Sequence, residues 1–266
     1  MDLSAYIPLR YRGLVWQMAR REFELRYRGS VMGLAWSFFN PLIMLAVYTF
    51  VFREVFKARW GVEGATGGRE EFALFAFAGL VIFNWFAEVI GRAPRLVVDQ
   101  PNLVKKVVFP LPVLAWVTVA GSAATLVVNA LVLLLAAGAF GHLKATALWL
   151  PVVWLPLVPL MLGLVWLLSS FTVYLRDVGQ AIGPVVNILM FLSPVFYPVS
   201  ALPERWQPWL QANPLTLIIE QTRAVVLIGQ APDFAALGFH ALVGCAVALL
   251  GAWWFEWTRQ GFADVI

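Results

Sequence analysis

Residues 145–175 read ATALWLPVVWLPLVPLMLGLVWLLSSFTVYL, a run without one charged side chain. A helix needs about 20 predominantly apolar residues to cross the hydrocarbon core of a bilayer, and this run exceeds that length. Other charge-free stretches cover 29–52, 72–87, 107–143, 178–203, 206–219 and 234–255. Across all 266 residues, 61% are apolar and 13% charged, with a mean hydropathy of +0.80. A soluble domain carries about a quarter charged residues. Too little polar surface remains to cover a water-soluble globule, so the expected fold is an all-α membrane protein forming one domain over 1–266.

Six spans are expected, at 31–53, 72–91, 113–138, 147–173, 179–198 and 236–257. The second reaches crossing length only by taking in Glu88, and the third starts after Pro110 and Pro112. The stretch 206–219 is too short to cross and reads as re-entrant or interfacial. Lys and Arg concentrate on the cytoplasmic side of membrane proteins. With the N-terminus inside, twelve of the 19 basic residues fall in cytoplasmic segments and seven, Arg223 among them, in external loops. Both termini are therefore expected in the cytoplasm. Trp253, Trp254 and Trp257 suit an interfacial aromatic belt. The first thirty residues hold six arginines and no apolar core before Val31, so no cleavable signal peptide is expected. Glu88 is the one intramembrane ionisable candidate. Arg92 at i+4 makes it an ion pair rather than part of a proton relay, which needs a chain of such groups.

The chemistry of an enzyme is missing. The net charge of +4 is too modest and dispersed for nucleic acid. Cys245 is the single cysteine, and His142 and His240 lack ligand spacing, so no disulfide or metal site is expected. No G-x-x-x-x-G-K-[ST] phosphate loop occurs, and no G-x-S-x-G elbow. No catalytic residue and no cofactor are expected; energy for uphill transport has to come from another polypeptide.

Four segments lie outside the spans. In 10–28, Gln17, Arg20, Arg21, Glu24 and Arg28 share one helical stripe, and Glu22 and Arg26 are spaced for an i,i+4 pair. Such a basic amphipathic helix lies in the membrane interface. It is either a surface anchor or a phosphate contact through its arginines. The loop Arg92–Pro112 is long for a helix–helix connection. Asp99 suits the cap of a short helix there, with Pro101 in its first turn and Lys105 and Lys106 near its end. The segment 194–235 is broken by Pro194, Pro198, Pro203, Pro208 and Pro214. It fits an external gate, or a loop packed on its own spans. Tyr174–Val178 reads as a tight inner turn.

The order of these segments resembles the membrane subunit of type-2 ABC exporters, specifically the polysaccharide-exporting branch. Four motifs carry the resemblance, which covers nearly the whole chain. Arg26-Tyr27-Arg28-Gly29-Ser30-Val31-Met32-Gly33-Leu34-Ala35-Trp36 through Pro41 is similar to the family's R-Y-x-x-S-x-L-G-x-x-W, with Met32 for Leu. Asn102-Leu103-Val104-Lys105-Lys106 precedes Phe109-Pro110, and Tyr174 to Val178 is similar to Y-x-R-D-[VIL]. Last come Ser193-Pro194-Val195-Phe196-Tyr197-Pro198 and Asn213-Pro214-Leu215.

The resemblance implies an interface helix at 10–28, a coupling helix at 99–109 and external gate helices at 199–229. It implies a homodimer with two copies of a nucleotide-binding ATPase subunit, which bind ATP and Mg, in the bacterial inner membrane. The implied substrate is a lipid-linked polysaccharide such as O-antigen, capsule or teichoic acid. Arg20, Arg21, Arg26 and Arg28 are then expected at the lipid headgroup phosphate, and Asp99, Asn102, Lys105 and Lys106 at the ATPase. Trp36, Phe39, Phe191, Phe196 and Tyr197 offer stacking area to sugar rings; each alternatively packs towards lipid. A permease for a small hydrophobic drug or another lipid is the alternative, and a scaffold that transports nothing a third reading.

Overall fold

A computed structural model describes residues 6–7, 9–27, 32–33, 35–51, 69–105 and 109–266. All regular structure among them is helical. In chain order the helices are α1 (Arg12–Tyr27), α2 (Ala35–Phe50), α3 (Arg69–Arg92), α4 (Arg95–Val98), α5 (Pro101–Lys105), α6 (Val113–Ala139), α7 (Leu150–Trp154), α8 (Leu157–Tyr174), α9 (Asp177–Phe191), α10 (Gln207–Gln211), α11 (Pro214–Arg223), α12 (Phe234–Thr258) and α13 (Phe262–Val265).

Local chemistry sets the boundaries. Asp233 caps α12, its Oδ1 accepting the N–H groups of Ala235 and Ala236 at 3.0 Å each. Pro112 and Pro156 stand immediately before α6 and α8, where a missing N–H costs nothing. After α6 the chain turns at Gly141, whose φ of +75° favours glycine, and His142 N–H closes on Ala137 O at 2.8 Å. The charge-free run 145–175 is not one uniform helix. A 3₁₀ turn over Ala145–Trp149 leads into α7, and the chain bends at Leu155–Pro156 before α8. Pro156 has no N–H to continue the ladder, and its ring crowds the preceding turn.

Among the described residues, four helical stretches are long and apolar enough to cross a membrane: Glu71–Arg92, Val113–Ala139, Ala145–Tyr174 and Phe234–Val265. These correspond to four of the expected spans. The other two are represented by shorter apolar helices, Ala35–Val47 and Asp177–Phe191. Within the expected span 179–198 the helix stops at Phe191, because Pro194 forces turns from Leu192 onward. At 1.5 Å per residue, the fifteen residues of α9 rise about 22 Å, short of a core of about 30 Å. The expected span 31–53 reaches beyond the described residues at both ends.

The helix α3 is the centre of the bundle: 83% of its apolar window is buried, against 22% for that of α12. It packs on α2, α6, α8, α9 and α11. Trp85 of α3 donates to Ser122 Oγ of α6 at 3.1 Å. The tightest pair is α8 with α12. A Cβ on Gly251 would collide with the Gly163 carbonyl, and one on Gly163 with the Val247 carbonyl. Small residues permit this backbone approach, and van der Waals packing replaces the hydrophobic drive that lipid removes. Beyond α12, Tyr174 at the end of α8 donates its hydroxyl to Thr258 O at 2.7 Å, which ties the inner turn of Tyr174–Val178 to α12.

Candidate transport site

One end of the bundle carries α1, α4 and α5 around the Arg92 end of α3. The inner stripe of α1 runs Val15, Ala19, Glu22, Arg26. Val15 and Ala19 are buried with Val113 and Val117 of α6, and a Cβ on Gly121 of α6 would sit 3.1 Å from Glu22 Oε2. The expected Glu22–Arg26 pair within α1 is replaced by two pairs across the interface. Glu22 pairs with Arg92, and Arg26 pairs with Glu88. Arg92 Nη1 stays 3.8 Å from Glu88, so the expected i,i+4 pair is the weaker contact. The reason is geometric. Both α1 charges face α3, which presents a carboxylate and a guanidinium one turn apart, and two opposite-sign pairs form at once.

The other headgroup candidates divide. Gln17, Arg20, Arg21 and Glu24 form the exposed stripe that the spacing predicts. Arg20 Nε donates to Glu24 at 2.7 Å in the open. Arg26 also donates to Thr125 Oγ1 of α6 at 3.0 Å. Arg28 lies outside the described residues. Beneath this cluster Tyr6 donates to Glu256 Oε2 at 2.9 Å, and burial with that carboxylate pushes its phenol well above the usual range.

Within the segment expected as a coupling helix at 99–109, the described residues form the short helix α5, and the separate short helix α4 precedes it; residues 106–108 lie outside the described residues. Asp99 ends α4, its N–H donating to Arg95 O at 3.0 Å, and the N–H of Leu103 in α5 closes on Gln100 O at 3.0 Å. Asp99 therefore terminates one helix where its spacing suggests the cap of the next. Asn102 and Lys105 are exposed on α5, no residue of which is buried. Lys106 lies outside the described residues. Asp99 lines a cleft of about 450 Å³ with Glu22, Arg92 and Arg95.

The opposite end holds a residue that sequence reasoning misplaced. Arg223, counted among the loop charges, is 1% exposed. Its Nε donates to Phe75 O of α3 at 2.9 Å, its Nη2 to Val195 O at 2.6 Å and its Nη1 to Glu220 at 2.9 Å. One guanidinium thus joins α3, α11 and the Ser193–Pro198 turn. A glycine, Gly79, opposite an arginine spaced three residues after Glu220 is a signal visible only once the helices are in place. Asn213 fastens the same turn from its other side. It caps α11 through Oδ1 to Leu215 N at 2.9 Å while its Nδ2 donates to Leu192 O at 3.1 Å and Ser193 Oγ at 2.9 Å. The end of α11 passes into a π turn, Ala224–Ile228, closed by Gly229 at φ +89°. The loop after α6 binds it, through Lys144 N to Val226 O at 3.1 Å and Thr146 Oγ1 to Val225 O at 2.6 Å. Residues 214–227 are consequently buried or half-buried, while Trp206 and Trp209 around α10 stay exposed.

The aromatic candidates also divide. Trp36, Phe39 and Phe191 are exposed on α2 and at the end of α9. Phe196 packs partly against the core, and Tyr197 turns back, its hydroxyl donating to Phe191 O at 2.7 Å. A feature missed altogether is a polar slot between α2, α3 and α6, into which Asn40, Asn84 and Asn129 open. A search for ionisable groups passes over such amides, although three asparagines inside apolar helices are a readable signal.

Residues 13–227 match the family described as ABC-2 type transporter. The chain belongs to that family. It is 28% identical over 259 residues, 96% of each chain, to an O-antigen export system permease protein RfbA of Myxococcus xanthus. It is 21% identical over 252 residues, 94% of its own length and 93% of the relative's, to a protein of that name in Klebsiella pneumoniae. As an ABC-2 type transporter subunit the chain is a multi-pass membrane component of a transporter whose ATPase resides in a separate subunit. The matched range runs from the start of α1 to the π turn, so the ABC-2 match takes in the charge cluster, α4 and α5, and the Arg223 junction.

Proposed function

We propose that the chain is the channel-forming subunit of an ATP-driven exporter that moves lipid-linked, O-antigen-like polysaccharide from the cytoplasmic to the outer face of the bacterial inner membrane. The observation that carries this reading is the likeness to an O-antigen export permease over 96% of both chains. In this reading six membrane-crossing segments are formed by α2, α3, α6, α7 with α8, α9 and α12. Both termini are cytoplasmic, and the α1, α4 and α5 end faces the cytoplasm. Two copies form the channel between them and bind two ATPase subunits, which supply ATP and Mg.

The geometry supports a division of labour. The helix α5 offers Asn102 and Lys105 in the open, where an ATPase subunit docks through Asp99, Asn102, Lys105 and Lys106. A push there reaches the bundle through α4, which packs on α5 and α8, and through α13, which also packs on α5 and α8. The paired charges of α1 and α3 hold the interface helix to the same bundle. Arg20, Arg21, Arg26 and Arg28 meet the phosphate of the lipid carrier, for which guanidinium forks are suited. A passing polymer needs many weak contacts, since tight binding at one site stalls it. Exposed Trp36, Phe39 and Phe191 supply stacking faces, while Phe196, Tyr197, α10 and α11 form the external gate.

Surface glycan in a deletion strain, with and without the chain restored, tests the reading. Loss from the surface with lipid-linked polymer accumulating inside is the expected result. Unchanged surface glycan, in a strain shown to hold no second exporter, overturns it in favour of a small hydrophobic substrate.

A further inference from the structure

Between α2, α3 and α6 lies a slot of about 300 Å³, lined by residues of one chain. Its walls carry Ser37 and Asn40 from α2, Phe77 and Asn84 from α3, and Thr125 and Asn129 from α6. All six lie on apolar helices, and none is charged. Among the described residues the side-chain amides of Asn40, Asn84 and Asn129 make no hydrogen bond. Asn40 and Asn84 are exposed and Asn129 is half-buried; amides left open on apolar helices are costly against hydrocarbon, so three that line one slot mark a place that receives polar matter. Its lower mouth is the charge cluster. Thr125 accepts from Arg26 at 3.0 Å, and Asn84 stands one turn above Glu88, which Arg26 pairs with. From Glu88 to Phe77 the α3 wall rises about 16 Å.

The lining chemistry selects the occupant. A metal cation wants carboxylate oxygens and a phosphate wants guanidinium groups, and the slot has neither within it. An amide presents both donors and an acceptor, and a hydroxyl presents both as well. That set matches a neutral group whose own hydroxyls donate and accept together, while Pro41, Met44, Phe77 and Leu80 offer an apolar wall. The volume lies at the small end of ligand pockets, about 300 to 1,000 Å³, which admits one ring. Arg26 at the mouth places a phosphate beside that ring.

We propose that this slot binds the first sugar of the lipid-linked substrate, with its phosphate at Arg26. The proposal rests on the export reading above. It makes Asn84 and Asn129 specificity residues for the sugar and assigns no contact to the lipid tail.

The test uses the full chain with its ATPase subunit in nanodiscs and two probes: a polyprenyl pyrophosphate carrying one N-acetylglucosamine, and the same lipid without sugar. Asn84→Leu and Asn129→Leu are expected to weaken binding of the sugar-bearing probe about tenfold, the loss of one or two hydrogen bonds. Binding of the sugarless probe stays unchanged, and Asn84→Ser, which keeps a hydroxyl, falls between. Equal weakening of both probes, or unaltered binding of the sugar-bearing one, overturns the slot while leaving the export reading intact. A native complex that ignores the sugar-bearing probe overturns both. In a Cys245→Ala background, a disulfide-linked dimer of Asn129→Cys would show that a second copy fills the slot, and the proposal fails.

Discussion

A Cβ at position 79 would lie 2.8 Å from Nη2 of Arg223 and 3.1 Å from Val195 Cα. Gly79 is therefore the space into which the buried guanidinium and the Ser193–Pro198 turn fit. Replacing Gly79 by Ala forces the arginine away from Val195 O at a cost of about 2 kcal/mol, in the range of overpacked cores. Removing the charge with Arg223→Met leaves the Val195 carbonyl without that donor and costs about 3 kcal/mol. Both variants are expected to lower the melting temperature of the purified complex. Arg223→Lys rescues little, because one ammonium does not reproduce a fork spanning three partners. A fully stable Arg223→Met protein would show the junction to be dispensable.

The close pair Gly163 and Gly251 leads to a second expectation. With each glycine against the other helix's backbone, Gly251→Val drives α12 off α8, and no rotamer relieves a clash made by Cβ itself. The variant is expected to be poorly recovered from membranes, whereas Gly238→Ala, whose Cβ meets nothing within 4 Å, is expected to be recovered normally. Equal yields of the two would contradict the tight α8–α12 approach.

Much of this arrangement was legible in the sequence, and the rest fails to be for physical reasons. Charge gaps locate α3, α6, α8 and α12 because burial in lipid is a matter of local composition. The expected span 179–198 runs past Phe191, where α9 ends, and the span 147–173, matched by the stretch Ala145–Tyr174, gives no sign of the break at Leu155–Pro156: hydropathy counts apolar residues and is blind to a missing N–H. The exposed stripe of Arg20, Arg21 and Glu24 follows from periodicity alone. Glu22 and Arg26, on the opposite stripe, chose partners 70 and 62 residues away, which no helical spacing encodes. Arg223 looks like a loop charge until α3 and the 193–198 turn surround it.

Arg26 and Glu88, one of the two cross pairs, should be energetically coupled. Arg26→Ala and Glu88→Ala each strand a half-buried partner, so the double variant is expected to cost less than the sum of the singles, by about 1 kcal/mol. A double-mutant cycle on the unfolding of the detergent-solubilised protein measures this. Strict additivity would mean that Arg92 alone satisfies Glu88.

Arg20 and Arg21 are exposed, and the Arg20–Glu24 pair is of the kind worth under about 1 kcal/mol. Their joint replacement by Ala is expected to leave the complex intact and its melting temperature nearly unchanged while export of glycan falls. Normal surface glycan in that variant would reduce α1 to an anchor.

The last expectation concerns α5. No residue of α5 is buried among the described residues, and Lys105 stands exposed on it. If an ATPase subunit seats there, reversing the charge with Lys105→Glu and Lys106→Glu turns attraction into repulsion at close range. Truncating or reversing charges at an interface mainly alters association and its salt dependence. Recovery of the ATPase with the tagged double variant is expected to drop about tenfold, a loss of about 1.4 kcal/mol, with undiminished insertion of the variant itself. The deficit should shrink as salt is raised, because screening weakens the new repulsion. Co-purification equal to the native pair at low salt would move the docking surface away from α5, and the cleft beside Asp99, Arg92 and Arg95 would be the next place to look.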